Sequence, residues 1–228
     1  MTISLQDAID GLYQIAVTQG ASQSPARLSC LAAYCVQELE ARGLKGAQPE
    51  QNIPGGGRTK AWDVGWKYDG KYRLAISLKS MLKNLPGTVP NRIDDLMGEA
   101  ANVQIHSPEI VTGYIMILDI GADVHSPKHG STWSDLLRRR LSALSSRRPP
   151  AWTIGTVEGF VLAEVDFSKS SSLRSGAELF GPFFDVLIEH VRFRNPNALP
   201  SVAGLPSPDV PALRKRIKRK SKPKPEEP

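Results

Sequence analysis

The sequence predicts a mixed α/β fold, a central sheet covered by helices on both faces. Three observations predict it. Apolar residues recur at helical spacing in several separate stretches, two short segments alternate apolar with polar residues, and IVTGYIMIL (110–118) is a continuous apolar run. Alternation marks half-buried strands, and a continuous run marks a strand covered on both faces. Elements mixed in this order pack as layers around one core, and 228 residues are enough for one.

Each element follows from local chemistry. Residues 4–19 carry Leu5, Ala8, Ile9, Leu12, Ile15 and Ala16 at helical spacing, and Gly20 ends the pattern. A second helix opens at Ser24-Pro25, a cap residue followed by proline, and runs to Arg42 before Gly43. Residues 44–60, rich in Gly and Pro and ending GGGRTK, read as a loop. WDVGWKY (62–68) and YRLAISLK (72–79) read as strands joined at Asp69-Gly70. After a loop from Asn84 to Pro90, a helix is expected from near Asn91 to near His106-Ser107-Pro108, followed by the 110–118 strand. A further helix over about 131–146, a strand at 159–167 and a last helix over 177–193, interrupted at Gly181-Pro182, complete the list. The expected organisation is a single domain over 1–195, helical to residue 43, with its core at about 24–167. Residues 196–228 read as a Pro-rich basic tail without packed structure.

The net charge is +6, but its distribution matters more than its size. Residues 211–228 hold eight Lys/Arg and two Glu, and the remaining 21 basic and 21 acidic residues balance. The tail reads either as a solvated terminus or as a tether for phosphate, with salt-sensitive affinity for DNA. No run of 18 apolar residues suggests a membrane span, and the N-terminus does not read as a secretory signal. Cys30 and Cys35 lie five residues apart on one expected helix, a poor geometry for a disulfide, which fits a reducing, cytoplasmic setting. His106, His125, His129 and His190 are scattered; His125 and His129 with Asp123 make only a faint metal pattern. No P-loop and no Ser-His-Asp arrangement is present.

The hairpin places polar side chains together. Trp62, Val64 and Trp66 share one face of the first strand, and Leu74, Ile76 and Leu78 one face of the second. Burying both sets together pairs Trp62 with Leu78, Val64 with Ile76 and Trp66 with Leu74, so a three-residue loop or a bulge is expected at 69–71. The same register sets Asp63 opposite Ser77, with Lys79 two residues on. An aspartate beside a lysine at the end of a buried strand suits phosphodiester hydrolysis. The carboxylate is a ligand for Mg²⁺, a hard cation, and the lysine orients or deprotonates water. The backbone carbonyl of Leu78 is a candidate further ligand.

These residues, WDVG…AISLKS, resemble the PD-(D/E)XK nuclease superfamily, which includes most type II restriction endonucleases. NRIDDLMGEA (91–100) resembles a helix that follows the lysine strand in some of those enzymes, and the likeness covers about residues 24–118. It implies a restriction-endonuclease-like sheet and an Mg²⁺-dependent endonuclease on double-stranded DNA, a type II restriction or phage-defence enzyme. It further implies a homodimer and a cognate DNA methyltransferase as partner. The alternatives are an inactive DNA-binding or assembly protein on the same fold, or a structure-specific repair or recombination nuclease. The departure is Ser77, which stands where the family has its second acid. On the helix at 91–106, with its apolar stripe of Ile93, Leu96, Met97, Ala100 and Val103, one flank carries Arg92, Asp95, Glu99 and Asn102. Glu99 is the first candidate for the missing carboxylate and Asp95 the second; Asp94 lies on the other flank, and Glu38 and Glu40 are weaker candidates. Arg58 and Lys60, in the glycine-rich loop, and Arg92, Arg138 and Arg139 are the candidate DNA contacts, with Arg140, Arg147 and Arg148 nearby.

Overall fold

The computed structural model describes residues 2–199 other than Ser146. Its main sheet has six strands: β1 (Gln48–Ile53), β2 (Lys60–Tyr68), β3 (Lys71–Met81), β4 (Val111–Asp119), β7 (Gly159–Asp166) and β8 (Ser172–Ser175). A two-stranded ribbon, β5 (His125–Ser126) with β6 (Ser131–Thr132), stands apart. The strand order is β1-β2-β3-β4-β7-β8; β3, β4 and β7 run parallel and the other neighbours antiparallel. The fold is therefore α/β with a mixed central sheet, as the element order predicts.

Helices cover both faces. Helix α1 (Leu5–Tyr13), α2 (Ser29–Ala41) and α5 (Phe180–Arg194) enclose a core with Val64, Trp66, Ile76, Ile115 and Val161. Helix α3 (Leu85–His106) and α4 (Trp133–Leu144) pack on Tyr114, Met116, Leu118 and Leu162 from the other side. Alternating residues of β4 thus serve opposite cores, which is why its sequence shows no polar face. No helix among the described residues is long and apolar enough to cross a membrane. Both cysteines are free.

Several elements differ from expectation for identifiable reasons. Residues 48–53 form a strand although their sequence, QPEQNI, carries one apolar side chain; β1 is an edge strand held by backbone pairing to β2. Helix α3 begins six residues before the expected start. Pro86 sits in its first turn, where the missing N–H costs nothing, and Pro90 is accommodated one turn later. Gly181-Pro182 occupies the first turn of α5 and does not interrupt it. Residues 195–199 pack: Leu199 is buried against the core, and Tyr68 Oη donates to the Asn197 carbonyl at 3.0 Å. The rest of the basic tail, 200–228, lies outside the described residues.

The hairpin register has Val64 paired with Ile76 and Trp66 with Leu74, as the apolar pattern demands. The device that produces it is not at 69–71. Tyr68 pairs with Lys71 across a two-residue turn in which Asp69 and Gly70 both have positive φ, 50° and 71°. The extra residue is Arg73, bulged between the Lys67–Tyr72 and Trp66–Leu74 pairs. Trp62 departs from its expected face and packs with Ile53, Ala75, Val103 and Ile110. It pairs with Gln51 of β1, beyond the last residue that β2 pairs with β3.

One polar cluster lies inside the apolar structure. Glu158, whose side chain is fully buried, accepts from Arg147, Arg194 and both the N–H and hydroxyl of Thr112. Arg147 also donates to the carbonyls of Pro108 and Ile110. Arg147, which in sequence lies near the candidate DNA contacts, is 2% exposed and forms a structural tie between α4, β4 and α5. Glu158→Ala leaves two guanidiniums without their counter-charge. It is expected to remove about 3–5 kcal/mol of unfolding free energy, read as a lowered urea midpoint.

Candidate active site

Two strands, β2 and β3, converge beneath α3. The β2–β3 pairing ends at Val64–Ile76, and Asp63, the next residue of β2, reaches β3 through its side chain. Ser77 and Lys79, at alternate positions of β3, lie on the side of the sheet that faces α3. Helix α3 is turned so that Glu99, not Met97, is buried: Glu99 is 9% exposed and Met97 44%. The expected apolar stripe included Met97. A charged side chain takes a core-facing position because cationic and hydroxyl partners await it there.

Those partners are close. Ser77 Oγ donates to Glu99 Oε2 at 3.0 Å, and Lys79 Nζ donates to Ser77 Oγ at 2.6 Å. Lys79 Nζ also lies 3.5 Å from Glu99 Oε2 and 3.9 Å from Asp63 Oδ2. The two carboxylates are therefore brought within reach of a single ammonium. Glu99 Oε1 is paired with Lys60 Nζ at 2.7 Å. Asp63 Oδ2 accepts from the Leu78 N–H at 2.7 Å. A strand residue's N–H and C=O leave the same edge, so the Leu78 carbonyl faces the side where Asp63 lies.

The two acids feel opposite net influences. Burial pushes the Asp63 carboxyl above its ordinary value, against the pull of Lys79 and the Leu78 N–H, and nearby Glu99 adds to the rise. Burial is also the largest influence on Glu99 and acts upward. Lys79, Lys60 and Ser77 together overcome it and hold Glu99 below the usual carboxylate range.

The other candidates take varied places. Asp95 pairs with Arg92 at 2.7 Å and, one turn before Glu99, lines an open pocket of ≈ 430 Å³ with Arg58, Lys60 and Glu99. Glu99 is thus the acid brought to Lys79. Glu38 pairs with Arg42, and Glu40 accepts from the Gly46 N–H, both away from this cluster. Arg138 pairs with Glu164, and Arg139 is exposed and donates to Ser131. Asp123 accepts from the N–H groups of Trp133 and Ser134 at the start of α4, which accounts for it without a metal.

The glycine-rich loop has a different use from the one its sequence suggests. Gly56 N–H bonds the Asn102 carbonyl, while the N–H groups of Gly57 and Arg58 bond Asn102 Oδ1. A Cβ at Gly55 would stand 2.0 Å from the Asn102 amide nitrogen. The glycines permit this close docking on α3, and their N–H groups face Asn102 rather than a phosphate. Docking fixes the start of β2 and so aims Lys60 at Glu99. That ion pair had no signal in the sequence, because its partners are 39 positions apart on different elements.

Among the described residues no group of three or more Asp, Glu, His and Cys is arranged to hold a metal. The donor set still fits Mg²⁺, which takes one or two carboxylates and keeps water in its remaining positions. Asp63 and Glu99 are such a pair.

The opposed electrostatics give a paired stability test. Asp63 ionises less readily in the fold than in the unfolded chain, so its charge subtracts stability once pH exceeds its raised pKa. Asp63→Asn is expected to raise the unfolding midpoint at neutral pH, and the gain fades as pH falls through that pKa. Glu99 has the opposite sign. Glu99→Gln is expected to lower the midpoint at neutral pH, and the loss fades as pH falls through the depressed pKa. Thermal unfolding across an acid titration reads both. No protein-family model and no curated protein matches the chain.

Proposed function

We propose that the protein is an Mg²⁺-dependent endodeoxyribonuclease of the PD-(D/E)XK type, in which Glu99 carries the acidic role that Ser77 lacks. One observation carries this reading: a carboxylate from α3 reaches the strand site and meets Ser77 at 3.0 Å and Lys79 at 3.5 Å. The six-stranded mixed sheet with helices on both faces supports it as a compatible frame.

In this reading Asp63 and Glu99 hold the cation, with the Leu78 carbonyl on the same edge. Bound there, Mg²⁺ supplies Lewis-acid stabilisation of phosphate charge and a more acidic water. Lys79 is held by Ser77 and places its ammonium between the two carboxylates, where it positions water or a phosphate oxygen. Ser77 is neutral and acts on Lys79 through the 2.6 Å hydrogen bond. Lys60 offsets the charge of Glu99 and gives it one orientation. Arg58 and Arg92 lie close by for backbone contacts, and Arg139 is exposed on α4.

The substrate is double-stranded DNA, and cutting both strands of a symmetric site calls for two copies related by a two-fold axis. The biological setting is restriction or phage defence, in which a cognate methyltransferase protects host DNA. Plasmid cleavage with Mg²⁺ tests the reading. Lys79→Ala and Glu99→Ala are each expected to lower the rate by about 10²–10⁴-fold, and chelation to abolish it. Activity surviving Lys79→Ala sinks the proposed site. DNA binding without cleavage in the wild type assigns the chain to a binding or assembly role, and preference for branched over plain duplex assigns it to repair or recombination.

A further inference from the structure

A second pocket, of ≈ 200 Å³, opens where β3 ends and α3 begins. Its charged lining residues are Arg27, Lys83 and Arg92, and no carboxylate lines it. Arg27 reaches it from the turn before α2. Its Nε donates to Ser80 Oγ at 3.0 Å and one terminal nitrogen to the Ser24 carbonyl at 2.7 Å. Neither Arg27 nor Lys83 forms an ion pair among the described residues. Arg92 spends one terminal nitrogen on Asp95, while its Nε is buried without an acceptor. Two guanidiniums on one pocket, Arg27 held by a hydroxyl and a carbonyl and Arg92 by Asp95 with its Nε left over, and no carboxylate in the lining, mark a place built for an external anion. Asn84 and Thr88 of the α3 start line the same pocket, adding polar groups and the positive end of a 22-residue helix.

The location narrows the anion's identity. Ser80, which orients Arg27, directly follows Lys79 in β3, so the pocket adjoins the catalytic cluster along the strand. Arg92 joins it to the Glu99 side, because its partner Asp95 lines the larger pocket. A polynucleotide lying across the Asp63–Glu99 site carries phosphates in both directions from the one being cut. Each is a compact anion rich in acceptor oxygens and suited to guanidinium forks. We propose that Arg27, Lys83 and Arg92 form a backbone-phosphate subsite, which holds a phosphodiester next to the scissile one and sets the strand's register on Lys79. The proposal rests on the nuclease reading and extends it to Arg27 and Lys83, which no motif marks.

Equilibrium binding of a short duplex DNA of arbitrary sequence, in chelator and across a range of salt, tests it. Each of Arg27→Ala and Lys83→Ala is expected to flatten the slope of log affinity against log salt by about 0.9, and Arg27→Lys to keep most of the slope. Lys83 is exposed, so its variant reads the contact without disturbing the fold. Salt-sensitive binding with unchanged slopes in both alanine variants overturns the subsite and leaves the nuclease reading standing. No salt-sensitive DNA binding by the wild-type chain overturns both. A rise in unfolding midpoint with inorganic phosphate that is lost in the variants, beside unchanged DNA slopes, makes the pocket a free-anion site and overturns its backbone assignment.

Discussion

A carboxylate removed from water must be matched by positive charge and hydrogen-bond donors, or it ionises poorly and weakens the fold. Glu99 sets that constraint here. Lys60, Ser77 and Lys79 meet it from two strands, and much of the nearby architecture follows. Helix α3 must present Glu99 inward, so Met97 turns to solvent and the apolar stripe rotates. The strand that bears Lys60 must begin at the right height, and the glycine loop docked on Asn102 of the same helix holds it there. The helix therefore supplies the acid and also fixes the lysine that neutralises it.

The sequence made some of this legible and hid the rest. Asp63 and Lys79 were readable because strand alternation and the apolar pattern demanded one register, which the structure adopts at Val64–Ile76 and Trp66–Leu74 and leaves at Trp62. Glu99 was readable as one of several acids on a helical flank, since angular position on a helix follows from spacing. Its burial was not, because the Lys60 partner lies on another element. Strand β1 was hidden for a different reason. Edge strands are held by backbone pairing, and QPEQNI shows neither alternation nor β-branched enrichment beyond one isoleucine. The start of α3 was obscured by Pro86 and Pro90, which read as loop signals although Pro86 stands in the first turn and Pro90 is accommodated inside the helix.

Arginine illustrates the limit of reading charge from composition. Arg138, Arg139, Arg140, Arg147 and Arg148 look alike in sequence, as a basic stretch on and after a helix. Arg147 is 2% exposed and shares Glu158 with Arg194, Arg138 is paired with Glu164, and Arg139 is exposed. What separates them is a counter-charge supplied from far along the chain. Arg27 is the converse: no cluster drew attention to it, yet it faces a pocket with no acid in its lining.

The bulge at Arg73 has a consequence for how this hairpin tolerates change. With a two-residue turn and no bulge, an odd spacing would separate the apolar partners, and Asp63 would stand across from Ile76. The extra residue restores even parity: Val64 pairs with Ile76, and the ends of aspartate and lysine meet at 3.9 Å. Added paired residues, one on each strand, lengthen the hairpin without changing which face any older side chain occupies. A lone insertion between the bulge and Lys79 turns the lysine to the opposite face, unless a second bulge compensates. The interval between the two residues is thus governed by parity rather than by length, and a hairpin of quite different reach can present the same pair.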